Sequence, residues 1–201
     1  MSMPLDDLAH LPEETLLALY AAGDRSAALV LTLRLTPRIL GFAARLLGDR
    51  AEAEDVAQEA MLRLWRIAPD WRPGEAQVTT WLYRVVSNLV TDRQRARTRR
   101  RADSLEDAAE PVDESLGAYA TLLERDRMAA LDAALALLPD RQRQAVVLRH
   151  LEGLSNPDIA TIMEIGVEAV ESLTARGKRA LAAALAGQRA ELGYEDEGVS
   201  P

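Results

Sequence analysis

Apolar residues recur at three- and four-residue spacing along most of the chain, and strict apolar–polar alternation is scarce. That pattern predicts helices and no sheet. From Glu13 to Ala22, Leu16, Leu17, Leu19 and Tyr20 make a short amphipathic helix ending at Gly23. Ser26 to Leu47 carries Leu29, Leu33, Ile39, Phe42 and Leu46 at helical spacing, with Pro37 inside. Proline lacks a backbone donor and fits best in a first turn, so two helices split at Pro37 are expected. Asp49 followed by Glu52 has the form of a capping box. It opens a helix that turns Val56, Ala60, Leu64 and Ile67 inward and stops at Pro69. Asp70 to Gln77, with Trp71, Pro73 and Gly74, reads as a loop. Val78 to about Arg100 is the next helix, apolar along Trp81, Leu82, Val85, Val86 and Leu89. Helices are expected again from Tyr119 to Leu138, stopped by Pro139, and from Asp140 to Leu151, ended by Gly153. Ser155 caps a third, with Pro157 in its first turn, and Gly166 opens a fourth that runs to about Leu185.

The fold class is therefore all-α, in two small helical domains. Residues 1–101 form the first and 119–187 the second, with a linker over 102–118 and a tail over 188–201. Alanine and leucine dominate a chain that is 48% hydrophobic and only 4% aromatic, which agrees with helical cores. There is no cysteine, so disulfides and thiolate metal sites are excluded. His10 and His150 have no ligand-pair spacing. No run reaches the roughly 18 apolar residues of a membrane span, and no membrane contact is expected. The start, M-S-M-P-L-D-D, is acidic and unlike a signal peptide, which points to the cytoplasm.

Charge changes the picture. The net charge of −8 argues against nucleic acid, but its distribution argues for it. Arg84 to Arg101 holds seven arginines and one aspartate, whereas Ala102 to Gly117 holds six acids and no base. Blocks so sharply separated fit a DNA-facing surface beside a solvated linker.

Three motifs carry candidate chemistry. The first is G-L-S-N-P-D-I-A-T-I-M-E-I-G-V-E-A-V, Gly153 to Val170. Ile159, Ile162, Ile165, Val167, Val170 and Leu181 form one apolar seam across two helices joined by the short turn Glu164-Ile165-Gly166. A helix-turn-helix has this form, and its second helix presents early residues to base edges; an ordinary helical hairpin has it too. The second is W-L-Y-R-V-V-S-N-L-V-T-D-R-Q-R-A-R-T-R-R-R, Trp81 to Arg101. Trp81, Tyr83 and Asn88 beside a cationic track fit single-strand binding; a solvated face would also be arginine-rich. The third is A-E-D-V-A-Q-E-A-M-L-R-L-W-R, Ala53 to Arg66, which sets Asp55, Gln58, Glu59 and Arg63 on or near one helix face. A partner surface and a plain solvated face both allow that. No nucleophile–base pair, phosphate-cradling glycine loop or metal spacing occurs, so no enzyme activity, cofactor or metal is expected.

In order along the chain, these segments resemble the extracytoplasmic-function (ECF) sigma factors, compact two-domain members of the sigma-70 family of bacterial RNA polymerase. L-L-A-L-Y-A-A-G-D is similar to the family's opening helix, and A-E-D-V-A-Q-E to its core-polymerase-binding helix. T-W-L-Y-R-V-V-S-N-L-V-T-D resembles the helix that melts and reads the minus-ten element. L-P-D-R-Q-R-Q-A-V-V-L-R-H-L-E-G-L-S-N-P-D-I-A resembles the start of the minus-thirty-five-binding domain. The resemblance covers Leu16 to Leu185. It implies a factor that binds core RNA polymerase, directs it to promoter DNA and opens it, held inactive by an anti-sigma factor.

Carried over residue by residue, the resemblance gives Asp55, Gln58, Glu59 and Arg63 to core polymerase. It gives Trp71, Trp81, Arg84, Asn88, Arg93 and Arg95 to the minus-ten DNA. It gives Glu168, Glu171, Ser172, Arg176, Lys178 and Arg179 to the minus-thirty-five DNA. Two departures stand out. Glu168, Ala169, Glu171 and Leu173 occupy positions where the family has small polar and basic residues, and Val78 stands where it commonly has an aromatic. A glutamate near phosphates repels, yet it can accept from cytosine N4 in the major groove. The acidic recognition helix also supports a rival reading, a sigma-like decoy that binds an anti-sigma factor but no DNA. A two-domain repressor is a third reading, though it has no use for the Ala53–Arg66 helix.

Overall fold

The computed structural model describes residues 5–74, 76–103 and 119–186, without the side chains of 5, 101–103 and 119–125. Among them there is no strand. The helices are α1 (Leu5–Leu8), α2 (Glu13–Ala21), α3 (Arg25–Leu47), α4 (Arg50–Ile67), α5 (Val78–Asp103), α6 (Tyr119–Ala136), α7 (Asp140–Val146), α8 (Asn156–Met163) and α9 (Val167–Leu185). The expected linker and tail lie almost wholly outside the described residues.

Helix α3 is the axle of the N-terminal unit. It packs on α1, α2, α4 and α5, and Leu31, Leu35, Ile39, Phe42 and Leu46 are buried along its inner face. Asp24 caps its first turn by accepting from the Ser26 amide, and Gly48, in a left-handed conformation that suits glycine, ends it. The split expected at Pro37 does not occur: the helix is continuous. The carbonyl that Pro37 leaves without a donor is that of Leu33, which is 68% exposed, so water can satisfy it. Leu29 and Leu33, placed on the apolar stripe by spacing, face out because they lie off the line of Leu31, Leu35 and Ile39. The expectation that no segment could span a membrane also needs correction. By length and composition alone α3, with 23 residues, is long and apolar enough, with a mean hydropathy of 1.4 over an 18-residue stretch of it. Its two central arginines tie it into the bundle instead: Arg34 donates to the Leu11 and Ala9 carbonyls, and Arg38 pairs with Glu152.

Helix α4 opens with half of the expected box, the Asp49 carboxylate accepting from the Glu52 amide at 3.0 Å, while the Glu52 carboxylate pairs with Arg97. Val56, Ala60 and Leu64 are buried against α3, and a 3₁₀ turn over Ala68–Asp70 closes it around Pro69. In the C-terminal unit α7 widens into a π-helical turn over Val147–Leu151 before Gly153 ends it. Ser155 caps α8 by accepting from the Asp158 amide, as expected. Ile159, Ile162 and Val170 form the seam between α8 and α9, while Val167 turns outward. Gly177 brings α9 so close to α7 that an added Cβ would lie 2.5 Å from Val146 Cγ2.

The two units touch. α8 lies along α5, and α3 meets α6 and α7, so the buried apolar residues join into one connected set.

Candidate nucleic-acid and partner interfaces

Helical geometry sorts the charged residues of α5 onto two faces. At 100° per residue, Arg84, Asn88, Thr91, Arg95, Thr98 and Arg99 fall on one stripe, with Arg93 and Arg97 on the opposite side. The structure bears this out. Asn88, Thr91, Arg95, Thr98 and Arg99 line a cleft of about 830 Å³ between α5 and the C-terminal unit. Ser87, nearly buried, lines the same cleft, and its hydroxyl has no protein partner. Arg93 and Arg97 instead continue the core stripe beyond the end of α3. Arg93 pairs with Asp55 at 3.6 Å. Arg97 donates to the Leu47 carbonyl and pairs with Asp49 and Glu52. Gln94 donates to Leu46 O, so α5 side chains cap the carbonyl end of α3, where the helix dipole favours a cation.

The aromatic groups divide in the same way. Trp71 and Trp81 meet edge-to-face at 5.9 Å and are half-buried at the loop before α5. Tyr83 cannot stack on a base. It is 1% exposed, packs edge-to-face on Phe42 at 5.1 Å, and its hydroxyl donates to Glu152. Burial first, and then the bond to Glu152, hold that hydroxyl's pKa far above its usual value, so it stays a donor. Val78 is also buried, so the position where an aromatic was looked for is a core position here.

On α4, Asp55, Gln58 and Arg63 are exposed and Glu59 is half-exposed. Arg63 donates to Glu59 at 2.8 Å, and that bond holds the Glu59 carboxyl below the ordinary range. Gln58 lies on the edge of an apolar groove of about 370 Å³ between α3 and α4, with Thr36, Leu40, Met61, Leu62 and Trp65. The four assigned residues thus face different neighbours: Asp55 turns to α5 and Gln58 to the groove. Spacing from Gln58 alone could have found Leu62, four residues on; the α3 half of the groove had no local signal.

On α9, Glu168, Glu171, Ser172, Arg176, Lys178 and Arg179 are all exposed. Glu168, Ser172 and Arg179 share the central line of the outer face, flanked by the others. Asn156, in the first turn of α8, donates to Glu171 at 3.4 Å. Nearby, burial and then Lys178 and Arg149 depress the pKa of His150. Among the described residues no group of histidine and carboxylate side chains could hold a metal ion.

Sequence reading missed the side chains that join the two units. Glu164, in the turn between α8 and α9, pairs with Arg84. Arg38 sits 3.8 Å from Glu152 and 5.8 Å from the centre of the Tyr83 ring. Arg143 donates to Leu46 O, and Arg45 lies 3.3 Å from Asp132. No local sequence signal marked these pairs; in the structure Glu164 occupies a left-handed position (φ 53°) where glycine or asparagine is the usual choice.

These surfaces have known counterparts. The family model for sigma-70 region 2 matches residues 31–100, and that for sigma-70 region 4 matches 128–181. The RNA polymerase sigma-H factor of Pseudomonas aeruginosa is 36% identical over 81% of this chain and 88% of its own length. The ECF RNA polymerase sigma factor SigW of Bacillus subtilis is 33% identical over 68% of this chain and 77% of its own. Among solved structures, the sigma factor RpoE of Bartonella quintana, in complex with the anti-sigma factor NepR, matches with a TM-score of 0.67 at 25% identity, covering 77% of this chain and 94% of that one. CnrH, in complex with the cytosolic domain of CnrY, matches with a TM-score of 0.62 at 26% identity, covering 87% and 97%. Region 2 thus spans α4 and the α5 stripe, region 4 spans the helix-turn-helix, and the chain belongs to the ECF sigma factors of the sigma-70 family.

Proposed function

We propose that α4 and the groove it shares with α3 dock core RNA polymerase, that the α5 stripe holds unpaired minus-ten bases, and that the outer face of α9 reads the minus-thirty-five element. The protein is a transcription initiation factor and not an enzyme: it binds core polymerase, directs it to promoters, promotes DNA opening, and is controlled by an anti-sigma factor. It acts in the cytoplasm, where polymerase and promoters are. Residues 1–101 carry the first two tasks and 119–187 the third.

The observation that carries this reading is the segregation of α5. Arg93 and Arg97 pair inward with α4 and its N-cap, whereas Arg95 pairs with Asp92 of its own helix and stays exposed. Asn88, Thr91 and Arg95 line an open cleft, with Trp71 and Trp81 at the helix start. Cationic and amide groups along a track that begins at aromatics suit stacking and phosphate contact. Glu59, Gln58 and Arg63 with Leu62 and Trp65 offer a mixed apolar and charged patch of the sort a stable partner buries. The decoy reading leaves the α5 stripe without a purpose.

Run-off transcription with purified core polymerase tests the reading. The chain should yield a promoter-specific transcript that core alone does not give. The double variant Asp55→Arg with Gln58→Ala should lose core binding in a pull-down by about tenfold or more, the cost of about 1.4 kcal/mol. If that variant binds core as tightly as the unaltered chain, the α4 assignment is wrong.

A further inference from the structure

We propose that the cleft lined by α5, α7 and α8 is a binding site for a free nucleoside polyphosphate, with its phosphates on arginines from both walls and its ring on the apolar floor. This goes beyond the assignment of α5 to unpaired bases and does not need it.

Volume and lining both suit such a ligand. The cleft, at about 830 Å³, lies within the range of small-molecule sites, roughly 300–1,000 Å³. Those sites join an apolar surface to a few convergent polar groups. Here Leu46 and Val90 from one wall and Ile162 and Met163 from the other supply the apolar part. An unbranched thioether such as Met163 adapts readily to the flat face of a ring.

Charge points to an anion. Arg95 and Arg99 of α5 and Arg141 of α7 line the cleft, against two carboxylates, Asp140 and Glu164. Arginines outside the lining already answer both carboxylates: Arg143 pairs with Asp140 and Arg84 with Glu164. The three lining arginines are held far more loosely. Arg95 lies 3.9 Å from Asp92, Arg99 donates to the Arg95 carbonyl at 3.5 Å, and Arg141 donates to the Met163 carbonyl at 3.5 Å. Guanidinium groups held this way keep most of their N–H donors for phosphate oxygens. Three of them, from two helices, suit a chain of phosphates better than a lone carboxylate.

Nearer the start of α5, Ser87 lines the cleft at 4% exposure, and its hydroxyl has no protein partner. A buried hydroxyl left unpaired is destabilising, and a ligand that bonds it removes the cost. Asn88 beside it and Gln144 from α7 bring amides that both donate and accept, as the edge of a nucleobase does. At 1.5 Å per residue, Ser87 stands about 12 Å from Arg95 along α5, the scale of a nucleotide from ring to terminal phosphate. Asn88, Thr91 and Arg95 are also the residues assigned to the unpaired strand, so nucleotide and strand exclude one another.

The test uses the full chain. ATP, GTP and inorganic tripolyphosphate are titrated by calorimetry, and a fluorescent oligo(dT) strand reports competition. At least one of the two nucleotides should bind at a single site, with tripolyphosphate roughly fivefold weaker because it has no ring to bond Ser87. Arg141→Gln should weaken nucleotide and tripolyphosphate alike by about tenfold, the loss of a charged contact. Ser87→Ala should weaken the nucleotide roughly fivefold and leave tripolyphosphate unchanged. Circular dichroism melts confirm that both variants are folded. The nucleotide should displace oligo(dT) competitively. No saturable nucleotide binding, an unchanged affinity in Arg141→Gln or in Ser87→Ala, or nucleotide and strand bound together would overturn the site. Equal affinity for nucleotide and tripolyphosphate would overturn the ring's place in it and leave a bare polyphosphate as the ligand. If the nucleotide binds in this way but core polymerase gains no promoter-specific transcript, the initiation-factor reading fails and the nucleotide site stands.

Discussion

Glu171 is tied to its own domain by Asn156, yet remains exposed on the face that α9 offers to DNA. That bond uses one oxygen of the carboxylate and leaves the other free, so two outcomes are distinguishable for Glu171→Gln. If the carboxylate only repels phosphate, the change should strengthen binding to every duplex. If it accepts from a cytosine, the cognate site should weaken by roughly 1–3 kcal/mol and selectivity at one base pair should relax. Binding assays across a promoter-mutant series read both. We expect the second outcome, because Asn156 holds the side chain in place, and a fixed acceptor reads a base edge better than a mobile one. A uniform gain would refute it. Asp132 makes a contrasting case. Partial burial raises its pKa, outweighing the pull of Arg45, although half of the side chain stays open to water, so its charged form is a small cost in the fold. The stability tied to this group is fully present below the ordinary carboxylate pKa and is lost as pH rises through the folded value. Asp132→Asn should therefore flatten that pH dependence in thermal melts; a pH profile equal to that of the unaltered chain would contradict this.

The helices were legible where local chemistry and periodicity agreed. Asp49 with Glu52, Ser155 with Pro157, and Gly48 and Gly153 marked ends that the structure keeps. Pro37 misled because its local cost is real but small on a face open to water, and the packing of α3 on four helices outweighs it. Register failed where a stripe was drawn from too few leucines: Leu29 and Leu33 lie off the line of Leu31, Leu35 and Ile39. Arg93, assigned to DNA, also pairs with Asp55, because a charge run does not say which residues have partners from another helix. The N-cap of α4 gives a direct test at this scale. Asp49 accepts from the Glu52 amide and also pairs with Arg97 of α5, so it fixes both the start of α4 and its angle to α5. Asp49→Ala should cost about 1 kcal/mol, the usual worth of a cap, seen as a lower midpoint in urea with an unchanged slope. A loss below the error of the melt would mean that Arg97 and Glu52 hold the helix end without it.

At the scale of the whole molecule, the connection between the two units was the part sequence could not show. Tyr83 and Glu152 are far apart along the chain, and nothing in either local pattern says that they meet. The buried apolar residues of α2–α5 and α6–α9 nonetheless form one set, with Leu46 and Val90 from one side and Ile162 and Met163 from the other around the cleft. A shared core of this sort couples the unfolding of its halves. The C-terminal unit is the smaller of the two and buries less surface of its own, so it depends more on the contact. The unaltered chain should therefore melt in one calorimetric transition, with calorimetric and van't Hoff enthalpies equal. The Glu152→Gln, Glu164→Gly variant should melt in two, the C-terminal unit first. Two transitions already present in the unaltered chain would mean that the contact between the two units is too weak to couple their unfolding, and that each stands on its own core.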